Sequence, residues 1–154
     1  SFKRNLCNKT RQTLMSVFFR KKEISLPDGI EIKQSTLHQR GVFASKAFKT
    51  GTVIETAPVI LLKKTDKEFL YSTSLFHYYF LVKDEQSPVV LGLGYTSLYN
   101  HSYKANAVYS ISLKDATLKI TACKPIQSGD EITLNYNGNP DDETPVYFPP
   151  ASTV

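Results

Sequence analysis

The chain has 154 residues, enough for one domain with a sizeable buried core, and its composition is that of a globular protein. No apolar run approaches the roughly 18 residues that a membrane-spanning helix requires. The net charge of +5 is unevenly distributed, because residues 1–22 carry seven basic residues and no acid, against 12 basic and 14 acidic residues in the remainder. The body is therefore slightly acidic, which excludes a uniformly basic nucleic-acid-binding domain.

The two cysteines, Cys7 and Cys123, are far apart in the chain. With only three histidines beside them, they form no spacing typical of a zinc site, so no metal is expected. Free thiols are the simplest expectation, which favours a reducing intracellular compartment, either cytoplasm or nucleus.

The elements predicted in chain order are mostly short strands. They are a helix at 10–20, a turn at 27–29, strands near 30–32, 42–44, 53–54 and 59–62, a short helix from Thr65, an extended segment at 78–82, a loop at 88–99, a hairpin of 107–113 with 118–122, and a final strand at 132–136. The first helix rests on Leu14, Val17 and Phe18 at i, i+3 and i+4. Thr65 followed by Glu68 is a capping box, and Pro58 is expected to break the apolar run around it. The sequence thus predicts a compact, mainly β domain.

Three motifs stand out by their order and spacing. They are Arg40-Gly41-Val42-Phe43-Ala44, then Asn100-His101-Ser102, and then Gly129-Asp130-Glu131-Ile132-Thr133-Leu134-Asn135-Tyr136. Each is weak alone, but the ordered set resembles the SET domain, the fold of most protein lysine methyltransferases. The chain departs from the family pattern at Gln39, where the family has glycine, and at Ala105, where it usually has proline.

The resemblance implies a fold and an organisation. The expected fold is the SET-domain fold, with small curled sheets, few short helices and a C-terminal pseudoknot in which the end of the domain passes under the loop near Asn100. The expected divisions are a basic arm at 1–27, a SET domain at 28–148 and a tail at 149–154. The chain looks most like the minimal SET proteins of large viruses and some bacteria, which implies a homodimer as a further expectation.

The resemblance also implies S-adenosyl-L-methionine as cofactor and a lysine-bearing protein as substrate, with histone tails the leading class. Tyr136 is the expected catalytic residue, with its hydroxyl beside the transferred methyl group. The residues expected at the cofactor are Arg40, Gly41 and Val42 through their backbone, Asn100 and His101 at the adenine, Tyr136, and Phe148 as a lid. The residues expected along the lysine channel are Tyr95, Tyr99, Tyr109, Leu134 and Tyr147, with Tyr78 or Tyr79 as further candidates.

Alternatives remain open at this stage. Asn100-His101 could be a turn whose side chains bind buried backbone groups, Tyr136 a half-buried strand residue, and most of the channel aromatics core residues. The main functional alternative is a non-catalytic SET-like module that binds lysine-bearing or nucleic-acid partners. Residues 1–22 could contact nucleic acid or form a solvated tail, and Asp141, Asp142 and Glu143 could contact basic residues that flank a target lysine.

Overall fold

The computed structural model of the chain describes residues 24–82 and 89–146. In those two ranges the strands are β1 (Ile30–Gln34), β2 (Arg40–Ala44), β3 (Val53–Leu62), β4 (Tyr79–Leu81), β5 (Val89–Gly92), β6 (Asn100–His101), β7 (Ala107–Ser112), β8 (Thr117–Ala122) and β9 (Glu131–Leu134). The helical elements are α1 (Lys64–Leu70) and two 3-10 turns, Ser74–His77 and Thr96–Leu98. The prediction of a mainly β domain with few short helices is confirmed. No helix in these ranges is long and apolar enough to cross a membrane.

The strands form a continuous curled sheet in the order β1-β2-β9-β7-β8-β3-β5-β4. β6 lies off this path and pairs with β9 in parallel, and β9 also pairs in parallel with β7. The predicted hairpin is present as β7 and β8, paired from Ala107 opposite Ala122 to Ser112 opposite Thr117. The inward face of the curled sheet forms the core. Its fully buried residues include Val42, Leu118, Ile120, Ile132 and Leu134.

The chain that follows β9 crosses the loop that follows β6. The backbone N–H of Ser102 donates to the carbonyl of Leu134 at 2.9 Å, which continues the parallel pairing beyond β6. Further on, the backbone N–H of Val146 donates to the Tyr103 hydroxyl at 3.0 Å. The C-terminal segment is thus bound to the loop beside Asn100, as the SET-domain pseudoknot requires.

The prediction that Pro58 separates two strands was wrong. Val53–Leu62 is one strand of 10 residues, and Pro58 lies where it changes partner. Up to Pro58 the strand pairs with β8, and from Val59 onward it pairs with β5. A proline is tolerated here because its missing N–H falls at the junction of two ladders rather than inside one.

Three other boundaries differ from the predictions. Helix α1 begins at Lys64, because the carboxylate of Asp66 accepts the backbone N–H of Lys63 at 2.8 Å, so the Thr65 capping box is not the one used. The predicted loop at 88–99 contains β5, which is stabilised by pairing on both sides with distant strands. The last strand ends at Leu134, two residues before its predicted end. The predicted helix at 10–20, the basic arm up to residue 23 and the tail at 149–154 lie outside the described residues.

Candidate functional site

Asn100 connects three separate parts of the chain. Its side-chain amide donates to the carbonyl oxygens of His38 at 3.2 Å and Arg40 at 3.1 Å, and to Oε1 of Glu131 at 2.7 Å. The other carboxylate oxygen of Glu131 accepts the Ser35 hydroxyl at 2.9 Å. The structural role weighed for Asn100 is therefore present, because its amide satisfies backbone carbonyls and holds the loop before β2 against β9.

The loop before β2 keeps the backbone path that glycine would favour. Gln39 has a φ of +40°, in the left-handed region, which explains why the family pattern has glycine at this point. Two residues on, a Cβ on Gly41 would lie 2.1 Å from Oε1 of Glu131, so that position requires glycine for space. Val42 is fully buried and pairs with strands on both sides, so its side chain belongs to the core.

His101 and Tyr136 are joined through the backbone. Nδ1 of His101 accepts the backbone N–H of Tyr136 at 3.1 Å, so the imidazole is neutral with its proton on Nε2. The His101 ring also packs edge-on against Tyr103, at 4.5 Å between centroids. Burial lowers the pKa of His101 below its ordinary value, which favours this neutral form.

The Tyr136 hydroxyl is held in place by the protein backbone. It donates to the carbonyl oxygen of Tyr99 at 2.8 Å, so the direction of its O–H bond is set by that carbonyl. Burial, together with the charges of Tyr78 and Glu131, raises the pKa of Tyr136 to about 12. The phenol is therefore protonated at neutral pH, and it can orient a reacting group without acting as a phenolate base.

Tyr136 lies on the wall of a cleft of about 420 Å³ that is rich in aromatic side chains. The aromatic residues on its walls are Phe76, Tyr78, Tyr79, Phe80, Tyr99, Tyr109 and Tyr136. The C-terminal segment closes one side through Pro145 and Val146. Asn137 holds that segment, since its side-chain amide donates to the carbonyl of Thr144 at 2.8 Å. Such a cleft can admit a long alkyl chain and contact a cationic end group through the ring faces.

The predicted channel residues occupy four different kinds of position. Tyr109 lines the cleft, and its ring packs edge-on against Phe80 at 5.1 Å. Tyr99 is on the cleft wall but only 1% exposed, and its hydroxyl donates to Glu55 inside the core. Leu134 is fully buried and Tyr95 is 39% exposed, and neither lines this cleft. Tyr147 and Phe148 lie outside the described residues.

The sequence-based prediction missed part of the site. Phe76, His77 and Phe80 line the cleft, and the aromatic cluster at 76–80 was the available signal. Glu131 and Glu55 were also missed, because an acidic residue in a strand carries no local sign of the partners it finds across the fold.

The fold and the site define a class of protein, a curled β domain with a crossed C-terminus and a phenol at an aromatic cleft. The sequence profile of the SET domain matches residues 39–137, well over half of the chain. The chain therefore belongs to the SET domain family.

Two similar proteins are histone methyltransferases by description. A Schizosaccharomyces pombe histone-lysine N-methyltransferase, H3 lysine-37 specific, is 26% identical over 108 residues, which cover 70% of this chain and 72% of the relative. The crystal structure of a Plasmodium falciparum protein, described as a candidate histone methyltransferase, is similar with a TM-score of 0.58 and 28% identity. That similarity covers 73% of this chain and 95% of the other.

Proposed function

We propose that the protein is an S-adenosyl-L-methionine-dependent protein-lysine N-methyltransferase, with histone tails as the leading substrate class. The observation that carries the proposal is the Tyr136 hydroxyl, fixed by the Tyr99 carbonyl at the wall of an aromatic cleft. Family membership and the two similar proteins support it.

The groups around Tyr136 fit a sulfonium cofactor by their chemistry. The carbonyl oxygen of Tyr99 and the hydroxyl oxygen of Tyr136 are 2.8 Å apart and present electron-rich atoms, to which a polarised methyl group can make weak C–H···O contacts. S-adenosyl-L-methionine, when bound, supplies an electrophilic methyl group. We propose that the loop at 36–40 together with Asn100 and His101 holds it, with the Asn100 amide acting by fixing that loop.

The cleft also suits the deprotonation that the substrate amine needs before it can react. A lysine amine has a pKa near 10.4, so deprotonation at neutral pH costs about 4 to 5 kcal/mol. Transfer of the amine from water to a cleft walled by aromatic rings disfavours the ammonium form and lowers that cost. Once neutral, the amine can be aligned by the Tyr136 oxygen, and alignment of this kind contributes several kcal/mol to the rate.

The acidic segment next to the cleft favours a basic substrate. Asp141 and Glu143 are exposed and lie a few residues before Pro145 and Val146, which form the rim. Asp142 instead shapes the turn, since its Oδ1 accepts the backbone N–H of Thr144 at 2.8 Å. We propose that Asp141 and Glu143 contact lysine or arginine residues that flank the target, as found in histone tails.

The experiment is incubation of the protein with methyl-labelled cofactor and core histones, read by mass spectrometry of lysine-containing peptides. Labelled lysine that disappears with Tyr136→Phe, and persists with Tyr95→Phe as the matched control outside the cleft, supports the proposal. No labelled lysine on histones or on a broad set of lysate proteins would refute the activity.

Calorimetry with the cofactor separates this enzyme from a non-catalytic binding module. Micromolar binding that Asn100→Ala weakens supports the enzyme, whereas no binding at millimolar cofactor supports the module.

A further inference from the structure

Glu55 is a buried acid near the start of strand β3. It is 2% exposed, and the neighbouring Ile54 is 4% exposed, so two consecutive strand residues are both buried. This breaks the usual alternation of a strand. The register between β3 and β8 shifts between Val53 and Glu55, and such a bulge turns an extra side chain inward.

Both carboxylate oxygens of Glu55 bind the segment that precedes Asn100. Oε1 accepts the backbone N–H of Tyr95, and Oε2 accepts the hydroxyl of Tyr99, each at 2.9 Å. The backbone just before Tyr95 also lies close to this carboxylate. Gly94 has a φ of +67°, and a Cβ there would lie 2.6 Å from Oε1 of Glu55. The turn from 94 to 99 is therefore built around the carboxylate.

A buried carboxylate is costly, and this one has no ion pair among the residues that the structure describes. Burial raises the pKa of Glu55, while its two hydrogen bonds favour the charged form. An apolar residue of similar size would pack here at lower cost. The arrangement therefore needs an explanation beyond core packing.

The explanation is a second hydrogen bond made by Tyr99. Tyr99, whose hydroxyl binds Glu55, is the residue whose carbonyl oxygen accepts the Tyr136 hydroxyl at 2.8 Å. The position of that carbonyl is fixed on one side by the Glu55 contact. On the other side it is fixed by the next residue, Asn100, through its bonds to β2 and β9. The direction of the Tyr136 hydroxyl follows from where Tyr99 is held.

We infer that Glu55 is a positioning residue for the Tyr136 hydroxyl, acting through the Tyr99 ring and the Tyr99 carbonyl. The inference rests on the methyl transfer proposed above for its catalytic consequence. Glu55 does not touch substrate or cofactor in this scheme. Its effect is to hold the acceptor that orients the phenol, and small displacements of an orienting group cost large factors in rate.

The kinetic test uses two variants that weaken the same contact from either side. They are Glu55→Gln, whose amide keeps only one of the two acceptor oxygens, and Tyr99→Phe, which removes the donor. In each we expect kcat to fall about tenfold or more, with the KM for the peptide and the calorimetric affinity for the cofactor changed less than about threefold. The double variant should lose no more than the worse single variant, because both act through one contact. Glu31→Gln, the same change in an exposed ion pair with Lys33, is the control and should leave kcat unchanged.

A second measurement does not depend on activity. Tyrosine labelled with carbon-13 at Cζ gives one resonance for each of the nine tyrosines, and Tyr136→Phe identifies that of Tyr136. We expect this resonance to move in both Glu55→Gln and Tyr99→Phe and to stay in place in Glu31→Gln. If Glu55→Gln does not fold, Tyr99→Phe alone tests whether the Tyr136 resonance depends on the contact between Glu55 and Tyr99.

The possible results separate the two proposals. An unmoved Tyr136 resonance, or a kcat equal to that of the wild type in folded variants, would overturn the positioning role. If the Tyr136 resonance moves in both variants but the wild-type protein shows no methyl transfer, the contact is supported and the proposed function is refuted.

Discussion

The protonation state of Tyr136 leads to a prediction about how the reaction depends on pH. Its pKa is raised to about 12 by burial and by the charges of Tyr78 and Glu131. At pH 8 only about one phenol in 10⁴ is then ionised, against about one in 10² for an ordinary tyrosine. A rate that depended on the phenolate would keep rising toward about pH 12. We instead expect the rate to rise between pH 7 and pH 10 with deprotonation of the substrate amine, whose pKa in water lies near 10.4, and to level off above it.

Replacement of Tyr136 by phenylalanine removes the hydroxyl and keeps the ring. We expect kcat to fall by a factor on the order of 10² to 10³, because an orienting oxygen is lost. The same factor is expected at every pH from 7 to 10. The stability cost should be about 1 to 3 kcal/mol, since the Tyr99 carbonyl loses its hydrogen bond of 2.8 Å.

The assay is methyl transfer to a lysine peptide at half-unit pH steps, with wild type and variant measured in parallel. Two curves of the same shape, displaced by a constant factor, agree with an orienting phenol. If the variant loses the rise with pH while the wild type keeps it, Tyr136 takes the proton, and the argument from its raised pKa is refuted.

Three further predictions concern the residues that hold the site together. Asn100→Ala should lower the free energy of unfolding by about 2 to 4 kcal/mol, because two carbonyls and Glu131 lose their donor, whereas Asn139→Ala on the exposed turn should cost less than about 1 kcal/mol in the same urea titration. The pKa of His101 is lowered in the folded state, so the stability that its neutral form contributes is present above about pH 6.5 and is lost as pH falls below it. Urea midpoints at pH 7.5 and 5.5 should therefore differ more for the wild type than for His101→Gln, and equal differences would contradict the assignment. Gly41→Ala should cost about 2 to 3 kcal/mol, because its Cβ meets a Glu131 carboxylate that Ser35 and Asn100 hold in place. Gly51→Ala should cost only about 1 kcal/mol, for a φ of +84° with open space around it, and a reversed order would show that space is not the constraint at Gly41.

The sequence was most informative where the pattern is local. The alternation in 107–113 and 118–122 predicted the hairpin of β7 and β8, because a half-buried strand displays its two faces in every second residue. Alternation failed at Pro58 and at 88–99, where the strand depends on partners far away in the chain. The ordered motifs also predicted the family, which the profile match over 39–137 confirms.

The roles of individual side chains were less accessible from the sequence. Tyr99 and Leu134 are apolar or aromatic residues in the right region, yet one binds an internal acid and the other is buried in the core. Gln39 looked like a defect in the motif, but it adopts the left-handed conformation that glycine would take. The difference comes from packing, which decides the direction in which a side chain points.

The sequence by itself determined the class of fold, the family and the tyrosine on which the proposed chemistry depends. Only the tertiary structure decided what holds that tyrosine. The bond from Asn100 to Glu131 spans 31 residues, that from Tyr99 to Glu55 spans 44, and that from Tyr136 to Tyr99 spans 37. Contacts over such separations leave no periodic trace in the chain, because they form only when the strands that carry them have come together.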